Sequence, residues 1–404
     1  MNARTQWIVH LDLDAFFCAV EEQYQPRLSG KAFAVGGRPE SRGVVASCSY
    51  AARQFGVRSA MPMARALRLC PELEVVPSRH GVYGRASRQV MAILRDASPL
   101  VEQISIDEAF LALDESAATI EGAARNLQNE VRTQLGLPCS LGAAANKLVA
   151  KIANEVGKAA NARPEPPNAL TIVPQGQEAA FLAPLPVEML WGVGPKTAER
   201  LAELKIFTIG ELARRPPAEL ARRFGKHGEE MALRARGVDE RPLVEVREAK
   251  SFSQETTFAR DERVEVELRR ALQGQADKVA QRLQQERQVA RTVKLKIRWP
   301  DFTTLTRQTT LPQPVETGAE ILAAAEQLFA GVWRPGQAVR LIGVGVSGLE
   351  APVRQLSLWD WTPAAPEDER AARLRAALAD LRQRYGEGAV VRGLHSPGAV
   401  DVDE

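Results

Sequence analysis

The sequence predicts a mixed α+β protein built from several domains. Three observations predict it. At about 150 residues per domain, 404 residues ask for two or three cores. Strand-like and helix-like runs fall into two separate mixed blocks joined by a stretch of short helices. Proline-rich and polar stretches, Pro164 to Asn168 and Glu245 to Phe252, punctuate the pattern.

The elements follow in order. Trp7, Val9, Leu11 and Leu13 alternate with Ile8, His10 and Asp12, the period of a strand. Asp14 is a suitable N-cap for the apolar helix that opens at Ala15. Short turn-bounded pieces lead to a helix from Tyr83 to Ala97, a strand-like run from Val101 to Leu113 and a helix from Thr119 to Leu135. A strand (Ser140 to Ala145) and a basic helix (Asn146 to Val156, with an exit loop reaching Lys158) complete the first block. Short helices with glycine turns fill Phe181 to Val238. From Phe252 to Gly348 the order is strand, helix, two strands, helix, strand, that of a small α/β sandwich. Pro352 to Pro366 reads as extended. One more helix, to Tyr385, has Leu374, Leu378, Leu381 and Tyr385 on one face.

Composition narrows the class. With 45% hydrophobic and 25% charged residues, the chain is neither collagen-like, disordered nor a disulfide scaffold. No run of about 18 uncharged apolar residues exists to span a membrane. The start lacks a signal-peptide layout and the tail a lipidation box, so a cytoplasmic protein is expected. Balanced charge, 53 Lys+Arg against 50 Asp+Glu, allows a nucleic-acid partner without arguing for one. Cys18, Cys48, Cys70 and Cys139 lack metal-site spacing and are expected to be buried thiols.

Two constellations carry chemistry. Asp12-Leu13-Asp14 ends one strand and Ser105-Ile106-Asp107-Glu108 lies in another apolar run. Carboxylates buried together repel, and a divalent cation such as Mg²⁺, which also takes substrate phosphates, resolves that conflict. Asp107 and Glu108 converge only if the strand ends or turns there. Ser47, Tyr50 and Arg53 recur every three residues, which puts them on one side of a helical turn as a triphosphate grip. Surface carboxylates and a solvated helix face are the bland readings of the two.

Four segments in order, Asp12 to Phe17, Ser47 to Pro62, Ser105 to Ala109 and Asn146 to Ala153, resemble the Y-family DNA polymerases, and among these the bacterial polymerase IV group. The resemblance covers roughly residues 7 to 360. It implies a right-hand polymerase: a ferredoxin-like palm (1–13 and 81–168), small fingers (14–80) and a helical helix-hairpin-helix thumb (169–240). A linker (241–251), an α/β little finger (252–352), a clamp-binding peptide (353–361) and a tail (362–404) follow. It implies Asp12, Asp107 and Glu108 as catalytic carboxylates and, with the Leu13 backbone carbonyl, as ligands of two Mg²⁺ ions. Phe16, Phe17, Ser47, Tyr50, Arg53 and Lys158 fall on its nucleotide contacts, Phe17 as the steric gate that excludes a ribose 2′-hydroxyl. Asp14 is left to helix capping.

Gly192, Gly194 and Lys196 form the expected thumb hairpin on DNA. Lys294, Lys296 and Arg298 share one face of a strand about 6.6 Å apart, suited to tracking phosphates; a charged sheet edge is the alternative. Gln355, Leu356, Leu358 and Trp359 resemble a peptide for the bacterial sliding clamp. Departures from the family pattern are Ala159-Ala160-Asn161 after Lys158, Phe110-Leu111-Ala112 after the carboxylates, and Trp359. The expectation is a monomeric, low-fidelity translesion polymerase acting on primer-template DNA and dNTP. A catalytically inactive DNA- and clamp-binding adaptor would lose a carboxylate, and all three are present.

Overall fold

The computed structural model describes residues 5–115, 119–161, 163–246, 248–352 and Ala377. Strand β1 (Thr5–Leu13) runs into helix α1 (Phe16–Tyr24). A small sheet follows from β2 (Phe33–Gly36) and β3 (Val45–Cys48); helices α2 (Tyr50–Gln54) and α3 (Met63–Leu69) then precede its third strand, β4 (Glu74–Val76). Next come α4 (His80–Ala97), β5 (Val101–Gln103), β6 (Glu108–Glu115), α5 (Ile120–Leu135), β7 (Cys139–Ala144), α6 (Lys147–Ala160) and β8 (Leu170–Ile172). Five short helices are α7 (Glu178–Leu182), α8 (Pro195–Ala202), α9 (Ile209–Ala213), α10 (Pro217–Phe224) and α11 (Lys226–Arg234). The last block is β9 (Ser251–Glu262), α12 (Glu265–Gln285), β10 (Val289–Arg298), β11 (Thr304–Val315), α13 (Gly318–Ala330) and β12 (Val339–Glu350).

The first sheet has the order β5-β6-β1-β7-β8, so β1 is its centre. Period two divides its side chains. Val9, Leu11, Leu111 and Leu141 join the core formed with α1, α4 and α5. Ile8, Phe110 and Ala144 face the other way, into the core shared by α6 and the short helices. His10 and Asp12 are on that second face, which decides everything about the site. Helix α6 starts where the Asn146 side chain accepts the Val149 N–H.

Several expectations need correction. Val101 to Leu113 is a hairpin rather than one strand, turning at residues 104–107. The expected palm boundary at 168 falls short, because Leu170–Ile172 pairs in parallel with β7 and belongs to that sheet. Lys158 lies on α6, not in an exit loop, since the helix continues to Ala160. In the last block the strand order β11-β10-β12-β9 puts β10 in the interior, so the charged-edge reading of Lys294, Lys296 and Arg298 does not hold. Val293, Leu295 and Ile297 are buried beneath them as the alternation predicts. The four cysteines are buried and free. Among the described residues no helix is long and apolar enough to cross a membrane.

The chain leaving α11 is strapped back onto α6. Asn146 donates to the Gly237 carbonyl (2.8 Å), Asp239 accepts the Leu148 N–H (3.1 Å), and Lys147 reaches both Glu102 and the Pro242 carbonyl at 2.8 Å. Arg241 grips Asp239 with two hydrogen bonds and lies over the Trp191 ring. Between the small sheet and β9, Arg42 pairs with Asp261 at 2.7 Å.

Gly142 on β7 is where α6 comes closest: a Cβ there would meet the Ala150 carbonyl at 2.1 Å and the Asn154 nitrogen at 2.5 Å. Gly142→Ala must therefore push α6 off the sheet, with an expected loss of about 1–3 kcal/mol. Denaturant unfolding checks this; unchanged stability would show that the helix is not held at that distance.

Candidate active site

Asp12 ends the α6-facing side of β1, and its register partner on β6 is Glu108. Cross-strand Cα partners lie within about 5.5 Å. Asp107 stands in the turn before β6; its carbonyl accepts the Leu13 N–H at 3.0 Å, so the two chain segments that carry the acidic residues are stitched together. Ser105 builds that turn, donating to the Asp107 carboxylate (2.5 Å) and accepting the Glu108 N–H (3.0 Å). The strand turns where convergence required it to.

Helix α6 answers these carboxylates with cations. Lys158 lies 2.7 Å from Asp12 and 3.7 Å from Asp14, and Lys151 lies 2.8 Å from Glu108. Burial pushes the Asp12 carboxyl up to about 7, against the pull of Lys158 and with help from Glu108 and Asp107. Glu108 goes the opposite way: the His10 ring beside it (Nε2 to Oε2 3.8 Å) and then Lys151 hold it well below the usual carboxylate range, although burial opposes them. Burial, before any other cause, lowers the His10 imidazole from its ordinary value, and Glu108 pulls it back up. Its Nδ1 is 3.0 Å from the Asn154 amide, which also donates to the Ser140 carbonyl.

The donor set is all oxygen, buried at Asp12 and half-buried at Asp107 and Glu108, and in excess of negative charge, which suits a hard cation such as Mg²⁺. In the observed rotamers Asp12 and Glu108 face lysines, and no group of three His, Cys, Asp or Glu side chains among the described residues is spaced to hold an ion. The residues fit the metal by chemistry, and the lysines are what an ion must displace.

Asp14 does not cap α1. Ala15 takes that position in the left-handed region (φ 47°), and no side chain caps the helix. The Asp14 carboxylate is instead buried, accepting from Ser140 (2.9 and 3.0 Å), the Asn168 N–H (3.1 Å) and the Tyr50 hydroxyl (3.4 Å). It thereby links Lys158 to Tyr50, whose ring carries the Arg53 guanidinium at 4.3 Å. Ser47 is not on their helical turn: it lies on β3, its hydroxyl 3.6 Å from the Cys18 thiol, while Ser49 caps α2. The helical-turn reading fails for Ser47 because the helix begins only at Tyr50.

Phe16 is buried in the sheet core, and Phe17 is half-buried at its margin. The Phe17 ring stacks on Tyr83, centroids 4.4 Å apart and planes 16° from parallel. Beneath, Tyr83 donates to Glu21 at 2.6 Å, and Arg79 grips the same carboxylate from Nε at 2.9 Å. Tyr83, Glu21, Arg79, His10 and Asn154 were not among the expected site residues. The available signal for Glu21 was its place four positions after Phe17, which puts the two on one helix face.

The remaining candidates sit apart from this cluster. Gly192 (φ 102°) and Gly194 form an exposed turn before α8, with Lys196 in its first turn. Lys294, Lys296 and Arg298 are half-exposed on β10, where Lys296 meets Glu255 and Arg298 meets Thr304. Gln355, Leu356, Leu358, Trp359 and the tail helix lie outside the described residues.

Comparison with known proteins agrees with this layout. Residues 11–155 match the model of the impB/mucB/samB family, 249–358 that family's C-terminal domain, and 176–206 the IMS family HHH motif. A DNA polymerase IV of Dehalococcoides mccartyi strain CBDB1 is 39% identical over 390 residues, 96% of each chain. One from Streptomyces coelicolor is 46% identical over 352 residues, 85% of this chain and 71% of that protein. A solved Y-family DNA polymerase chimera superposes with a TM-score of 0.72 at 23% identity, covering 86% of this chain and all of the other.

The Glu21 cluster has a signature in acid. Burial would raise the Glu21 carboxyl, but hydrogen bonds from Arg79 and Tyr83 outweigh it and hold it below its ordinary 4.5. Its stabilisation is therefore present above that unfolded value and lost as pH falls through the lower folded one. Glu21→Gln should flatten the stability profile of the protein below about pH 4.5. Thermal melts between neutral and acid pH check it; identical slopes would remove the ion pair's role.

Proposed function

Because this chain belongs to the impB/mucB/samB family, we propose that its carboxylate cluster performs template-directed, two-metal nucleotidyl transfer in translesion DNA synthesis. The observation that carries the reading is Asp12 standing opposite Glu108 with Asp107 tied to Leu13. The chain is a DNA polymerase with primer-template DNA and dNTP as substrates. Mg²⁺ is the metal we assign, held by Asp12, Asp107, Glu108 and the Leu13 carbonyl as two ions. Bound there, it supplies activation of the primer 3′-hydroxyl and neutralisation of the pyrophosphate leaving group.

The protein's own residues do the rest. Tyr50, Arg53 and Lys158 converge through Asp14, and together with the backbone of Phe16 and Phe17 at the start of α1 they would hold the triphosphate. Lys158, freed from Asp12, follows the phosphates it then neutralises. Phe17 lies at the sugar position and excludes ribose by collision. Gly192, Gly194 and Lys196 would meet the DNA backbone from the short-helix domain. Lys294, Lys296 and Arg298 would track it from the little finger, which suits sequence-independent binding. We assign the enzyme as a monomer and its setting as the cytoplasm.

Gln355, Leu356, Leu358 and Trp359 are proposed to tether the enzyme to a bacterial sliding clamp; the C-terminal family match reaches residue 358. Deleting residues 355–359 should abolish stimulation by the clamp and leave clamp-free extension intact, and full stimulation of the deletion would place the tether elsewhere.

The central test is Asp107→Ala in a primer-extension gel with Mg²⁺ or with chelator. Extension should vanish in both the variant and the chelated wild type, while DNA binding by fluorescence anisotropy persists. Extension by the variant would remove the metal-site assignment.

A further inference from the structure

Helix α1 buries a carboxylate that the chemistry above does not use. Glu21 is fully buried, and its two oxygens take four hydrogen bonds. Arg79 supplies two, at 2.9 and 2.5 Å, the Tyr83 hydroxyl one at 2.6 Å, and Gln25 one at 3.3 Å. A buried carboxylate so fully paired is rigid, because every escape leaves a charge desolvated.

That rigidity has an address. Tyr83 is fully buried, packed edge-on against Phe16 and His80, and its face carries the Phe17 ring. The far end of the Tyr83 ring is fixed by Glu21, and Glu21 is fixed by Arg79 from the start of α4. Phe17 and Glu21 are also four residues apart on one helix, so the helix and the ring stack constrain the same side chain. A steric gate discriminates only if its ring cannot yield when a 2′-hydroxyl arrives. Phe17 has no polar atom with which to anchor itself.

We propose that the Glu21–Arg79 pair sets sugar discrimination from a distance, as positioning residues that hold the Phe17 ring through Tyr83. This rests on Phe17 being the gate, and the experiment separates the two statements. Single-nucleotide insertion is measured with a dNTP and the matching rNTP, and the ratio of their kcat/KM values is compared among variants. Within one preparation that ratio cancels any loss of folded enzyme.

Tyr83→Phe keeps the stack and removes the anchor; Arg79→Met removes the clamp on Glu21. Each should lower the dNTP preference at least about tenfold, since Tyr83→Phe removes one hydrogen bond to a charged group and Arg79→Met removes two. Phe17→Ala should lower it further, and Tyr83→Phe added to Phe17→Ala should lower it no more. A wild-type ratio in Phe17→Ala would show that the gate lies elsewhere. If Phe17→Ala loses discrimination while Tyr83→Phe or Arg79→Met keeps it, the positioning proposal is overturned. A further drop in the double variant would overturn it as well, since Tyr83 would then act independently of the gate.

Discussion

The structure turns on one electrostatic constraint: acidic residues of two neighbouring strands must share the buried face of a sheet. Asp12 opposite Glu108 is a repulsive arrangement that no apolar neighbour can relieve. The fold meets it with α6, laid across that face so that Lys151 and Lys158 reach one carboxylate each. A bare β7 backbone at Gly142 permits the approach. Helix position, strand register and glycine are thus parts of one solution, and each would be pointless without the others. In the proposed reaction the lysines are provisional partners. A compact ammonium on a flexible stem can leave a carboxylate to a metal and follow an incoming phosphate, which a guanidinium fork does less readily.

The first sheet is tied firmly to the short helices. Toward the short helices the strap is buried and multiply bonded: Lys147 and Glu102 are almost inaccessible, and Asn146, Asp239 and the Pro242 carbonyl add hydrogen bonds. Removing one member of such a pair is costly because the other remains desolvated. The short-helix domain is therefore rigidly set relative to the sheet.

Much of this was legible before any coordinates. Alternation from Trp7 to Leu13 gave the strand and its two faces, and the order of the last block from Phe252 to Gly348 was right in every element. What failed was local reasoning overruled by long-range contacts. Asp14 has the propensity of a cap, yet Ser140 and Asn168, both more than a hundred residues away, offer its carboxylate better hydrogen bonds. Ser47, Tyr50 and Arg53 have helical spacing, but Ser47 is held in a strand pairing with β2. The basic strand was readable as a face, whereas its interior place in the sheet depends on pairing order, which no single segment encodes. Glu21 was overlooked because Glu21 and Glu22 together read as a solvated stretch of helix, and only Arg79 and Tyr83 show why Glu21 is not.

Arg42 and Asp261 join the small sheet to β9 by an ion pair whose members are each about one-quarter exposed, 26% and 29%. Pairs of that kind are worth about 1 kcal/mol or less, and salt weakens them further. This ion pair is therefore a weak latch, whereas the short helices are bolted to the first sheet by the buried Lys147–Glu102 pair.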